Sequence, residues 1–190
     1  MFRTLLLSAP LVVAASLAQA VDAPPAMRAF VEADIMSWAE TEQVISAVNA
    51  QNTETAGSSE AQIIEWDNAW RAQVGQSDQP LISEVMGSNL SKFLMEKVEA
   101  SGGRITEIFV MDALGLNVAS SGVTSDYWQG DEAKYTESFG VGSGAVFVDA
   151  IEFDESAQSY QGQISVSLTD PATGEVVGAM TIGLNAEAFF

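Results

Sequence analysis

The chain has no cysteine and no histidine, and only seven Lys and Arg stand against 26 Asp and Glu in 190 residues. Each shortage closes off some chemistry. Without Cys no disulfide can form, which suits a chain long enough to bury roughly 70% of its unfolded surface in one core. Without His or Cys the usual nucleophile–base pairs and most zinc ligand sets are missing, so an enzyme would have to work with carboxylates, Lys or Tyr. A formal charge of −19 excludes nucleic acid and anionic lipid as partners, because affinity for either rests on Lys and Arg neutralising phosphate. The acids are spread rather than blocked, which reads as a solubilising surface and not as an acidic tail.

Long apolar runs are also scarce. The one at the start, in MFRTLLLSAPLVVAASLAQA, follows Arg3, spans Leu5 to Leu17 and exits through Ala18-Gln19-Ala20. This is the pattern of a secretory signal cleaved after Ala20, and the run is short against the ~20 residues that span a bilayer. The mature chain is therefore expected to begin at Val21, to reside in the periplasm or outside the cell, and not to insert in a membrane after cleavage.

What remains, residues 21–190, has the length of a single domain with two textures. Met27, Val31, Ile35, Trp38, Ile45 and Val48 recur at three, four and seven, which predicts one long amphipathic helix. Ser59 with Gln62 forms a capping box ahead of Ile63, Ile64, Trp66, Ala69 and Trp70, a second helix ending near Gly75. A short helical turn after Pro80 and a helix from Leu90 to Ala100, stopped by Gly102-Gly103, complete a helical part over residues 21–103. From residue 104 β-branched and aromatic residues take over. Ile105–Met111 and Leu116–Ala119 flank the turn Asp112-Ala113-Leu114-Gly115, and Ala145–Phe153, Tyr160–Leu168 and Glu175–Leu184 follow between turn-rich clusters. In Tyr160–Leu168, Ile164, Val166 and Leu168 alternate with Gln161, Gln163, Ser165 and Ser167, so one face is buried and the other is wet or borders a polar pocket. The expectation is an α+β fold, with a long N-terminal helix and short helices followed by a five-stranded antiparallel sheet.

This order of elements, with FVMDALGLNVASS in the hairpin and SDYWQGDEAKY in the next loop, resembles the extracytoplasmic Cache sensor domains, which have a PAS-like fold. Asp112 and Gly115 match the family's turn between its first two strands. Asn117, Val118 and Ala119 fall on the return strand, and Tyr127-Trp128 in the loop that closes the ligand pocket. The resemblance implies a non-enzymatic sensor module that binds a small metabolite between sheet and loops. It also implies action through a membrane receptor or other protein partner, since no second membrane segment or signalling part follows in the sequence. Members that bind amino acids place an Arg beside the pocket Trp, whereas Tyr127 precedes Trp128 here and Lys134 is the only cation after Arg104, against thirteen acids.

The expected pocket is bounded by Tyr127, Trp128, Asp131 and Lys134, with Phe109, Phe147, Gln163 and Ser165 as walls. An aromatic pair beside acids suits an amine-like or neutral ligand; a small carboxylate would need Lys134 or backbone N–H groups. The competing readings are a ligand-free structural or interaction protein that modulates a membrane complex, and a hydrolase using Asp126 and Asp131 as paired carboxylates. No cofactor or metal is expected. Gly140, Gly142 and Gly144 imitate GxGxG but precede a strand, and Asp149, Glu152, Asp154 and Glu155 lack a calcium-loop spacing, with Asp149 and Glu152 on opposite faces of one strand. Val31, Trp38 and Ile45 recur at seven, so a homodimer through the N-terminal helix is a further expectation.

Overall fold

A computed structural model describes residues 24–154 and 159–189; the leader expected over residues 1–20, and Glu155, lie outside the described residues. The helical part comes first. Helix α1 (Pro25–Phe30) opens with Pro at its first position, passes through one stretch of π-helix (Val31–Ile35) and continues as α2 (Met36–Ala39). Next come α3 (Glu42–Thr55), α4 (Glu60–Gln73), α5 (Pro80–Gly87) and α6 (Asn89–Ala100). The expected cap of α4 is present, with Ser59 accepting the Gln62 N–H.

The long N-terminal helix is broken where one continuous helix was expected. Glu40 leaves the helical conformation at φ −108°, ψ 27°, and Thr41 is extended. Side chains hold the break: the Thr41 hydroxyl donates to the Trp38 carbonyl at 3.0 Å, and Glu40 Oε1 accepts the Thr169 N–H at 2.9 Å. The positions spaced at seven are also spent inside the chain. Val31 and Ile45 are buried in the main core, and Trp38 packs edge-on against Phe93 of α6 with Lys97 Nζ 5.2 Å from its ring.

Among the described residues the sheet has six strands and not five. They are β1 (Ile105–Met111), β2 (Asn117–Ser120), β3 (Val146–Val148), β4 (Glu152–Asp154), β5 (Ser159–Thr169) and β6 (Val176–Asn185), with the short helix α7 (Ala133–Thr136) between β2 and β3 and a final 3-10 turn (Ala186–Phe189). All pairings are antiparallel in the order β2-β1-β6-β5-β3, with β4 also on β5. The strand expected over Ala145–Phe153 is split because Asp149 turns its carboxylate onto the next N–H, that of Ala150, at 2.8 Å. Between Val148, opposite Ile164, and Glu152, opposite Gln161, the edge carries one residue more than its partner, which is a bulge.

The alternation read along β5 sets the layers. Ile164, Val166 and Leu168 join Ile108, Val110, Met180, Ile182 and Leu184 under α1, α3 and α6 in the main core. On the other face, Phe109, Met111 and Ala179 pack against Tyr135 and Phe139 from the α7 region.

Candidate functional site

Beyond Met111 the chain must turn, and Asp112 organises that turn. Its carboxylate is fully buried. Oδ1 accepts the N–H groups of Leu114 and Leu116 at 2.8 and 2.9 Å, while Oδ2 accepts Gln51 Nε2 at 3.1 Å and the Thr55 hydroxyl at 3.0 Å. A buried charge is tolerable only when its lone pairs are filled in this way. Gly115 stands at φ +83°, and a Cβ there would lie 2.5 Å from the Gly130 Cα, so the hairpin turn and the following loop touch backbone to backbone.

A second buried carboxylate holds the loop itself. Asp67, on the apolar stripe of α4 with Ile63 and Trp70, accepts the N–H groups of Tyr127 and Trp128 on Oδ1 at 2.9 and 3.0 Å. Its Oδ2 accepts Arg71 Nε at 2.7 Å, and Arg71 also reaches Asp126 at 3.0 Å. The hydrogen bond that the guanidinium donates to Asp67 is the first cause of its raised pKa. Trp70 completes the anchor: its indole donates to the Thr124 carbonyl at 2.8 Å and its ring stacks on Tyr127 with centroids 5.4 Å apart.

These anchors border a cleft of about 420 Å³ between α3, α4, α5 and strand β2. Ala47, Ala50, Gln51, Glu54 and Thr55 line it from α3, Trp66 from α4, Leu81, Glu84 and Val85 from α5, with Ser88, Val118 and Tyr127 completing the wall. Val118 reaches it through a bulge: Val110 pairs with Ala119 and Met111 with Asn117, leaving Val118 unpaired. A second groove of about 330 Å³ shares Ala47, Ser88 and Val118 and runs on to Gln43 and Asn89. Tyr127 is 8% exposed, yet its hydroxyl has no hydrogen-bond partner among the described residues. Burial, followed by the carboxylates of Asp112, Glu84 and Glu54, pushes its pKa up.

Of the eight residues expected at the pocket, only Tyr127 lines this cleft. Trp128 is half-buried and its indole donates to the Leu114 carbonyl at 2.8 Å, sealing the Asp112 turn. Asp131 is exposed. Lys134 pairs with Glu132 at 3.0 Å and lies 5.4 Å from the centre of the Phe109 ring. Phe109, Phe147 and Ser165 share one cross-strand row on the face away from α3. Phe109 packs against Tyr135, Ser165 and Thr181 are buried and hydrogen-bond each other at 2.8 Å, and the Tyr135 hydroxyl donates to the Ala113 carbonyl at 2.7 Å. Gln163 donates to Glu107 at 3.0 Å and borders a separate hollow of about 190 Å³ with Asp149, Glu152 and Gln161. The split edge strand thus brings Asp149 and Glu152 to one hollow, where opposite faces were expected. Among the described residues no group of three or more acids could hold a metal ion. Asp126 is tied to Arg71 and, like Asp131, lies outside the cleft.

Sequence reading missed Asp67, Trp66, Gln51, Glu54 and Glu84. One signal was present: Asp67 falls between Ile63 and Trp70 at helical spacing, and a carboxylate on an apolar stripe must find buried donors.

No protein-family model matches the chain, and no curated protein matches it. Among solved structures it is similar to the sensor domain of the V. cholerae histidine kinase DctB, at 12% identity and a TM-score of 0.41 over 86% of this chain and 53% of that one. It is also similar to the ligand-binding domain of the Pseudomonas aeruginosa amino-acid chemoreceptor PctC in complex with GABA, at 14% identity and a TM-score of 0.42 over 76% and 58%. A third is the ligand-binding domain of the Campylobacter jejuni chemoreceptor Tlp3 in complex with L-norvaline, at 14% identity and a TM-score of 0.41 over 86% and 55%. The chain thus spans little more than half the length of these three domains. At such identities and TM-scores the likeness bears on neither ligand nor partner.

Proposed function

We propose that the chain is an exported small-molecule-binding sensor module of Cache type, acting through a membrane receptor or other protein partner and doing no chemistry of its own. The cleft carries this reading. Its volume of about 420 Å³ falls within the ~300 to 1,000 Å³ common for ligand pockets, and it combines apolar walls with a few convergent polar groups. Buried carboxylates at Asp67 and Asp112 fix two of its borders, so the site is pre-formed. Export rests on the leader pattern of residues 1–20; no helix among the described residues is long and apolar enough to cross a membrane. The GABA and norvaline complexes belong to other chains and do not choose a ligand for this one.

The test is a thermal-shift screen of the protein from Val21 onward against amines, amino acids, carboxylates and purines. Ligand at 100 times its Kd adds roughly 2.7 kcal/mol to stability. Ala50, exposed at the lip of the cleft, is the control: Ala50→Trp should fill the site, leave the fold intact and abolish the shift.

One observation favours a second reading, a ligand-free interaction protein. The sheet face on which the pocket was expected is occupied by Tyr135, Phe139 and the Phe109 ring under Lys134. A blank across every ligand class would select it.

A further inference from the structure

The charged groups that line the cleft are of one sign. Glu54 and Glu84 line it, both at exposed positions, and no Lys or Arg does. Gln51 is oriented by its neighbours: Nε2 is committed to the Asp112 carboxylate and the Leu116 carbonyl, which leaves Oε1 as an acceptor with no donor among the described residues. The Thr55 hydroxyl has its one proton shared between the Gln51 carbonyl and Asp112. At the inner wall is the hydroxyl of Tyr127, on a side chain more than nine-tenths buried and also without a partner among the described residues.

From this arrangement we infer that the cleft takes a small organic cation, with an ammonium head held by Glu54, Glu84, Gln51 Oε1 and the Tyr127 hydroxyl and an apolar body against Trp66 and Leu81. The inference rests on the reading of the cleft as a ligand site and adds the ligand's chemical class. Three arguments carry it. An ammonium has three donors and no acceptor, which matches a site whose oriented side chains offer acceptors. Glu54 and Glu84 have no counter-cation among the described residues, so they attract a positive ligand, and an anion would be repelled and left unpaired on entering. Trp66 and Leu81 on the same wall give the apolar body of such a ligand a surface to pack against.

Six probes decide it: phenethylammonium and 1,4-diammoniobutane, their neutral counterparts 2-phenylethanol and 1,4-butanediol, and the carboxylates 3-phenylpropanoate and succinate. Titration calorimetry on the native protein should show the ammonium compounds binding more tightly than the alcohols, with the carboxylates weakest and with affinity falling as salt is raised. Glu54→Gln and Glu84→Gln change exposed side chains and should leave the thermal midpoint of the free protein unchanged while weakening the ammonium probes by about fivefold each. Tyr127→Phe, which keeps the stacked ring, should weaken them again.

Alcohols or carboxylates that bind as tightly as the ammonium probes, and lose binding in Ala50→Trp, would overturn the cation while leaving the cleft as a ligand site. Ammonium binding that survives Ala50→Trp, or that both Glu→Gln variants leave untouched, would overturn the placement. Silence from all six probes would end the inference. The broader screen then decides whether the cleft takes any ligand.

Discussion

The Oδ1 atom of Asp67 accepts both the Tyr127 N–H at 2.9 Å and the Trp128 N–H at 3.0 Å. One carboxylate on α4 therefore fixes the backbone of a loop sixty residues later in the chain, and with it the inner wall of the cleft. Asp67→Ala would leave two N–H groups without a partner near the core, at a cost of about 3 kcal/mol. In a chain of this length that lowers the melting temperature by roughly 6 to 12 °C. Asp67→Asn keeps an oxygen toward both N–H groups and should cost much less. The Arg71 pair adds less than about 1 kcal/mol, its side chain being more than half exposed. Calorimetric melting of both variants, with hydrogen exchange at the Tyr127 and Trp128 amides, measures the effect; equal melting temperatures for the two would contradict it.

Asp112 separates two kinds of loss. Asp112→Ala removes the acceptor for four donors in a fully buried position and should cost about 3 to 4 kcal/mol. Asp112→Asn should cost less than half of that. The Asn oxygen can still serve the Leu114 and Leu116 N–H groups; with its proton on the Gln51 carbonyl, the Thr55 hydroxyl can accept from the new amide, and Gln51 Nε2, now facing a donor, falls back on the Leu116 carbonyl. Urea unfolding of both variants gives the ratio.

The sequence carried the order of elements and little of the site. Period-two alternation in Tyr160–Leu168 sorted β5 correctly because each face meets a different partner, and the Ser59–Gln62 box marked the start of α4 because its bonds are local. The kink at Glu40 was only partly legible: the Thr41 bond to the Trp38 carbonyl is local, but the Thr169 N–H that Glu40 accepts lies 129 positions away. The same holds for the cleft. Its walls meet through α3, α5 and a one-residue bulge at Val118, and no spacing within any single segment encodes that meeting. Tyr127 was legible as a loop aromatic beside acids, but which acids it faces, Glu54 and Glu84 and not Asp131, depends on tertiary packing.

Alkaline pH should loosen the fold by a defined route. Burial pushes the pKa of Tyr135 up, with Asp112 adding to it, and burial followed by three carboxylates does so at Tyr127. A folded-state pKa above the unfolded value of about 10 favours the neutral phenol in the native state. Its contribution is complete below about pH 10 and is lost as pH rises beyond it. Urea midpoints should therefore fall above about pH 10 in the native protein and fall less steeply in the Tyr127→Phe/Tyr135→Phe double variant. Below that pH, Tyr135→Phe should cost about 1 kcal/mol for its bond to the Ala113 carbonyl, and Tyr127→Phe close to nothing. An unchanged slope in the double variant would assign the alkaline loss to other groups.

Trp66 and Trp128 should part company. Trp66 lines it, whereas the Trp128 indole is turned onto the Leu114 carbonyl and seals the Asp112 turn. Trp128→Ala should therefore cost several kcal/mol, since it deletes a large packed ring and orphans that carbonyl, yet leave the stabilisation by a bound ligand nearly as it was. Trp66→Ala should do the reverse. Its ring is only half-buried, so the free protein should lose about 1 to 2 kcal/mol on an area basis, while the ligand-induced shift should largely vanish with the aromatic wall. Melting curves of both variants with and without a ligand of the native protein test the pair together. If Trp128→Ala abolished the shift and Trp66→Ala spared it, the binding site would lie at the loop, on the far side of the Asp112 turn.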